Sequence, residues 1–214
     1  MKTKLRLLLA IALLSGIAAK AEYAKESSWE TRGGGIVLLP GQDDVWDVAG
    51  GGTLSIIRWM PENIGVGLTL GGQTWSKKDE ELFINLYYDY LYVTTEGSAF
   101  VLPVGLSLFY RGEPSSTFSY NLEAGMQYQF VESDITMTAE SYRLYGESDV
   151  DIENGITAQI AGDLTLQLSD GLGLFLGAGY QFDVAKGKIS VDGYDLMDNE
   201  LAGAFVRAGL TSRF

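Results

Sequence analysis

Cysteine and histidine are both absent from the 214 residues. Without cysteine the chain forms no disulfide and no thiolate metal site. Without histidine it lacks the commonest general base and a frequent metal ligand. Proline is scarce, at 4 residues. Beyond the N-terminus no apolar run reaches the roughly 18 residues a helical membrane span requires. Basic residues are also few, 15 against 28 acidic, giving a net charge of −13. A chain this acidic repels phosphates, which excludes nucleic-acid binding. Membrane hydrolases and acyltransferases usually set His beside Ser or Asp, so no catalytic constellation stands out and no enzymatic activity is expected. No cofactor and no metal site is implied.

What is present begins with an export signal. Lys2, Lys4 and Arg6 precede an apolar stretch over 7–17, and Ala19, Lys20 and Ala21 form a small-x-small cleavage motif. Residues 1–21 therefore read as a signal peptide, and 22–214 as one barrel domain. Cleavage would remove Lys2, Lys4, Arg6 and Lys20 and no acid, leaving 11 basic against 28 acidic residues, a net −17.

The main signal beyond that point is period-two alternation. From 116 to 130 the even positions include Phe118, Tyr120, Leu122, Met126, Tyr128 and Phe130, while the odd ones include Asn121, Glu123, Gln127 and Gln129. The same parity separates Leu102, Val104, Leu106, Leu108 and Tyr110 from Gly105, Ser107 and Arg111. It separates Ile156, Ile160, Leu164 and Leu166 from Gln159, Asp163 and Gln167. It recurs through Leu172–Val184 and through 201–214. Weaker, Gly-rich strands are expected near 28–39, 48–60 and 64–75. The total is eight. Short links at 61–63, 112–115 and 169–171 alternate with long ones at about 40–47, 76–98, 131–155 and 187–200, the arrangement of a transmembrane barrel. The fold expected is all-β, an eight-stranded antiparallel up-and-down transmembrane β-barrel with both termini at the short-turn end.

Bulk assigns the faces. Eight strands leave room inside only for modest side chains, so the small polar face is expected inward and the bulky apolar face toward lipid. Aromatics support this. Tyr110, Phe118, Tyr120 and Phe214 fall at the short-turn end, and Tyr128, Phe130, Tyr180 and Phe182 at the loop end. Two such girdles flanking an aliphatic band suit two membrane interfaces.

The runs Asn121–Phe130, Gly177–Phe182 and Ala204–Phe214 resemble strands of the OmpA/OmpX-like family of small outer-membrane barrels, the last with its final Phe. The resemblance implies a Gram-negative-type outer membrane, with lipid and lipopolysaccharide around the wall. It also implies that the C-terminal strand, through Val206, Ala208, Leu210 and Phe214, is read by the barrel-assembly machinery.

Charges on the inward face form the first candidate site. Arg32, Glu123, Asp163 and Arg207 are expected near mid-height, with Glu30 and Arg213 lower on the first and last strands. Opposite charges at matched depth imply buried ion pairs, either as a structural plug or as a gated narrow pore. The loops form the second. They carry Asp43, Asp44, Asp47, Asp79, Glu80, Glu81, Glu147, Asp149, Asp151, Glu153, Asp192, Asp195, Asp198 and Glu200, with Tyr87, Tyr88, Tyr90, Tyr92, Tyr142, Tyr145 and Tyr194. The segment Asp149–Gly155 lacks the glycine position and closing glutamate of a calcium loop. The function expected is a monomeric structural or surface-interaction role, in envelope integrity or adhesion toward a surface partner. A narrow porin-like channel and a soluble lipocalin-like carrier are the alternatives.

Overall fold

A computed structural model describes residues 28–41, 45–61, 63–77, 80–86, 89–140 and 145–214, and for 80–91 the backbone alone. The leader, with Ala19, Lys20 and Ala21, lies outside the described residues. So do Asp43, Asp44, Asp79, Tyr87, Tyr88 and Tyr142, and the side chains of Glu80, Glu81 and Tyr90.

Twelve strands follow in order: β1 (Ser28–Pro40), β2 (Ala49–Trp59), β3 (Ile64–Ser76), β4 (Glu80–Leu86), β5 (Asp89–Gly112), β6 (Phe118–Glu140), β7 (Tyr145–Ile152), β8 (Gly155–Ser169), β9 (Leu172–Ala185), β10 (Gly187–Val191), β11 (Tyr194–Asn199) and β12 (Gly203–Arg213). Eight of them close a barrel in the order β1-β2-β3-β5-β6-β8-β9-β12, and β12 returns to β1 with Glu30 opposite Arg213 and Pro40 opposite Gly203. Every neighbouring pair is antiparallel. Beyond the last rung, Trp29 and Phe214 exchange both backbone hydrogen bonds, at 2.9 Å each. The seam is therefore zipped to the final residue, and no barrel edge is left open there.

Three of the four long links prove to be strands in large part. β5 and β6 run about ten residues past the barrel, and β4, β7, β10 and β11 extend that sheet. The sequence signal for these extensions is inverted. On β6 the outward positions pass from Tyr128 and Phe130 to Glu132, Asp134 and Thr136, while the inward ones pass from Gln127 and Gln129 to Val131, Ile135 and Met137. One strand thus exchanges the chemistry of its two faces where it leaves the apolar band. Below that level the outside meets hydrocarbon; above it the outside meets water. The β10–β11 hairpin turns on Asp192 and Gly193, whose φ values of 51° and 80° are those of a two-residue type I′ turn.

The outward apolar residues are exposed as a belt, with Leu106, Leu122, Met126, Ile160, Leu164 and Leu176 between the girdles. All eight aromatic residues expected in the girdles are exposed on that same face. At the loop end Tyr128 packs on Phe130 at 4.6 Å and Tyr180 on Phe182 at 4.7 Å between ring centroids. An apolar exterior around a polar interior is the reverse of a lipocalin-like carrier, and that alternative is set aside.

One expectation about the interior is corrected. Large aromatics, not only small polar groups, fill it: Trp59, Trp75, Phe109, Phe175 and Phe205 are buried on the inward face. Inward glycines make the room. A Cβ on Gly179 would stand 2.5 Å from the Phe205 ring, and one on Gly67 would stand 2.8 Å from Phe109.

Candidate functional site: the filled lumen and its cover

The site is built by parity. Inward positions on β1, β5, β6, β8 and β12 carry Glu30 and Arg32, Arg111, Glu123, Asp163 and Arg207, all buried. Asn121, Asp163, Gly177 and Arg207 occupy one row across β6, β8, β9 and β12. Gly177 is the gap that lets this row connect. A Cβ there would overlap Asp163 Oδ1. With no side chain in between, Arg207 Nε donates to Asp163 Oδ1 at 2.9 Å and its Nη2 to Asp163 Oδ2 at 2.8 Å. Gly177→Ala is therefore expected to push the carboxylate off Arg207 and cost about 1–3 kcal/mol, the usual range for overpacking. Gly162→Ala is the control, since its Cβ would meet only Leu122 at an ordinary 3.8 Å. Urea midpoints of the two variants in lipid vesicles check the difference.

The pairs form a chain. Arg207 Nη2 also donates to Glu123 Oε2 at 2.6 Å. Arg32 links Asp163, at 2.7 Å from its Nη1, to Glu30, at 2.6 Å from its Nε. Arg111 closes on the other oxygen of Glu30, which Trp59 Nε1 also reaches at 3.1 Å. Three arginines thus face three carboxylates, and the buried set is neutral. Neutrality matters because an unpaired ion buried here would cost several kcal/mol. Aromatic faces cover the guanidinium groups: Arg111 lies 3.7 Å above the Trp59 ring, Arg32 lies 5.7 Å from Phe109, and Arg207 lies 5.7 Å from Phe205.

The structure brings five of the six expected charges into this chain. The sixth, Arg213, sits half-buried at the rim, 3.7 Å from Glu30 and 3.2 Å from Glu113. Arg111, on the inward parity of β5, takes the place expected for Arg213. Nothing in the spacing marked Trp59, which holds both Glu30 and Arg111.

Above the charges runs a file of amides. Gln159 Nε2 donates to Glu123 Oε1 at 2.6 Å, Gln127 to Gln159 at 2.9 Å, and Gln129 to Gln127 at 3.2 Å and to Thr157 at 2.7 Å. Ser107 adds a 2.7 Å bond to Glu123. Over this file lies an apolar cover. Leu38, Val101 and Phe205 from barrel strands pack with Val45, Trp46 and Leu201 from the links and with Ile135, Val150, Ile152, Ile189 and Val191 from the extended sheet. Trp46 and Trp75 meet edge to face at 5.8 Å. Asp183 pins the cover by accepting from the backbone of Leu201 at 3.1 Å and Ala202 at 3.2 Å.

The loop-end sheet is the exposed part. β7 turns Glu147, Asp149 and Asp151 outward. Lys186 pairs with Glu200, and Lys188 with Asp198 at 2.5 Å. That contact lowers the Asp198 pKa and raises that of Lys188.

Fold, apolar belt and filled interior define the class: an eight-stranded transmembrane barrel of the outer-membrane type. In structure the chain is similar to the outer membrane protein OprG from Pseudomonas aeruginosa, with a TM-score of 0.62 and 15% identity over 89% of this chain and 97% of that one. Looser likenesses include a major outer membrane protein from Thermus thermophilus, with a TM-score of 0.49 and 10% identity over 87% and 99% of the two chains. Neisserial surface protein A gives a TM-score of 0.45 and 10% identity over 88% and 97%. No family model matches the chain, and no curated protein matches it in sequence.

Proposed function

We propose that the protein is an integral outer-membrane barrel, delivered by a cleaved leader, that works as a structural or surface-interaction element through its loop-end sheet. One observation carries the reading. The lumen is occupied from the turn rim to the loop end by ion pairs, amides and an apolar cover, which leaves the acidic extended sheet as the working surface. Lipid and lipopolysaccharide surround the wall, and the protein acts as a monomer without enzymatic activity. In this reading Val206, Ala208, Leu210 and Phe214 present the assembly signal, with Phe214 locked to Trp29 once the barrel has closed.

The narrow channel is the second reading. It draws on the continuous polar file from Arg111 to Thr157, which ends under the apolar cover.

The test of the first reading is a surface comparison. Cells displaying the full barrel are expected to attach to protein-coated surfaces more than cells displaying a variant with β7 and the β10–β11 hairpin replaced by short turns. Both forms must migrate as folded barrels when unboiled. Equal attachment by the two would overturn the reading.

A further inference from the structure

β11 ends the extended sheet. It pairs with β10 on one side, and among the described residues nothing pairs with its other side. An edge of this kind presents a row of unpaired N–H and C=O groups. Its side chains do little to shield it. Tyr194 is 76% exposed, Leu196 59% and Met197 47%. β11 carries no lysine of the kind that commonly blunts an edge; its charges are Asp195 and Asp198, the latter paired with Lys188, and its pairing with β10 skips Leu196.

Charge selects the occupant. Residues 145–200 hold only two basic side chains, Lys186 and Lys188, and both are paired with acids. Asp195 stands on the edge strand and Asp192 in its turn, and Asp151 of β7 lies in the same row as Asp195, across Ser190. A second copy would bring the same acids against one another, and like charges across paired strands destabilise. Ser28, where the described chain begins, lies at the opposite end of the barrel from this edge, beside Trp59.

We infer that the free edge of β11 binds an extended cationic polypeptide segment, which adds a strand by backbone hydrogen bonds while its Lys or Arg side chains face Asp195 and the acidic surface behind it. Tyr194, Leu196 and Met197 supply apolar contact for the residues between those charges. This rests on the surface-interaction reading above and names the chemistry of its partner.

The test uses the full barrel refolded in phosphatidylcholine vesicles, a neutral surface that does not itself attract cations. The probe is a soluble heptapeptide alternating Lys and Val. Its controls are the same peptide with a central proline and a Glu–Val counterpart. The Lys–Val peptide is expected to bind, with both controls weaker by about tenfold or more, because proline removes a ladder hydrogen bond and glutamate repels. Leu196→Pro, which breaks the edge, and Asp195→Lys, which reverses its charge, are each expected to weaken binding by a similar factor. Unboiled gel mobility shows that both variants still fold. Equal binding of the proline peptide, or no binding of the Lys–Val peptide, would overturn the inference. If cell attachment still depends on the hairpins while the peptide does not bind, the surface reading stands and the edge inference alone fails.

Discussion

Replacing Arg207 by methionine is expected to destabilise the folded barrel by about 3–5 kcal/mol, the range for breaking a buried ion pair from one side. The size follows from what is left behind. Glu123 loses its arginine and keeps Ser107 at 2.7 Å and Gln159 at 2.6 Å. Asp163 keeps Arg32 at 2.7 Å but loses two bonds from Arg207. Glu123 is then buried without an arginine, and Asp163 shares Arg32 with Glu30. Neutralising the acids together with the arginine should recover much of the loss, because a buried pair replaced on both sides by neutral groups is often tolerated. A double-mutant cycle with Glu123→Gln and Arg207→Met isolates the coupling, read from urea unfolding in vesicles by tryptophan fluorescence. A coupling of zero would mean that the lumen is not held by this pair.

Leu122→Arg and Leu106→Arg are expected to cost about 2–4 kcal/mol each, the penalty for a charge on the lipid face near the bilayer midplane. Both side chains are more than half exposed, at 54% and 65%, and both lie between the aromatic girdles. Exposure of this kind would be harmless on a soluble protein, so the substitution separates lipid from water as the outer solvent. Val184→Arg supplies the depth control. Val184 is 56% exposed but lies beyond Phe182 at the loop end, where the penalty falls to roughly 0–1 kcal/mol. Folded fraction after refolding into vesicles, read as the shift between unboiled and boiled mobility, reports all three. Equal effects at the three positions would contradict the placement of the membrane band.

The barrel was legible because one rule, alternation, holds wherever one face meets lipid and the other meets packed polar groups. It placed Leu122 outside and Glu123 inside, and chain closure alone put Glu30 beside Arg213. Three things escaped it. The extensions of β5 and β6 kept the same parity but exchanged polarity, so Glu132 and Ile135 read as loop. Partner choice in the lumen depends on which walls face each other, a distance that spacing along one strand does not encode. Arg111 therefore reached Glu30 unannounced, and Arg213 stayed at the rim. Interior volume also depends on glycines in facing strands, which spacing along one strand does not show: Gly67 and Gly179 make room for Phe109 and Phe205.

The most direct test of the filled lumen is single-channel recording of the refolded barrel in a planar bilayer, with folding verified by mobility. Silence is the expected result, because the neutral chain from Arg111 to Glu123 and the Trp46–Trp75 cover fill the lumen with buried, bonded side chains. Discrete conductance steps from the unmodified barrel, altered in size by Glu123→Gln or Arg207→Met, would contradict it and make the protein a channel.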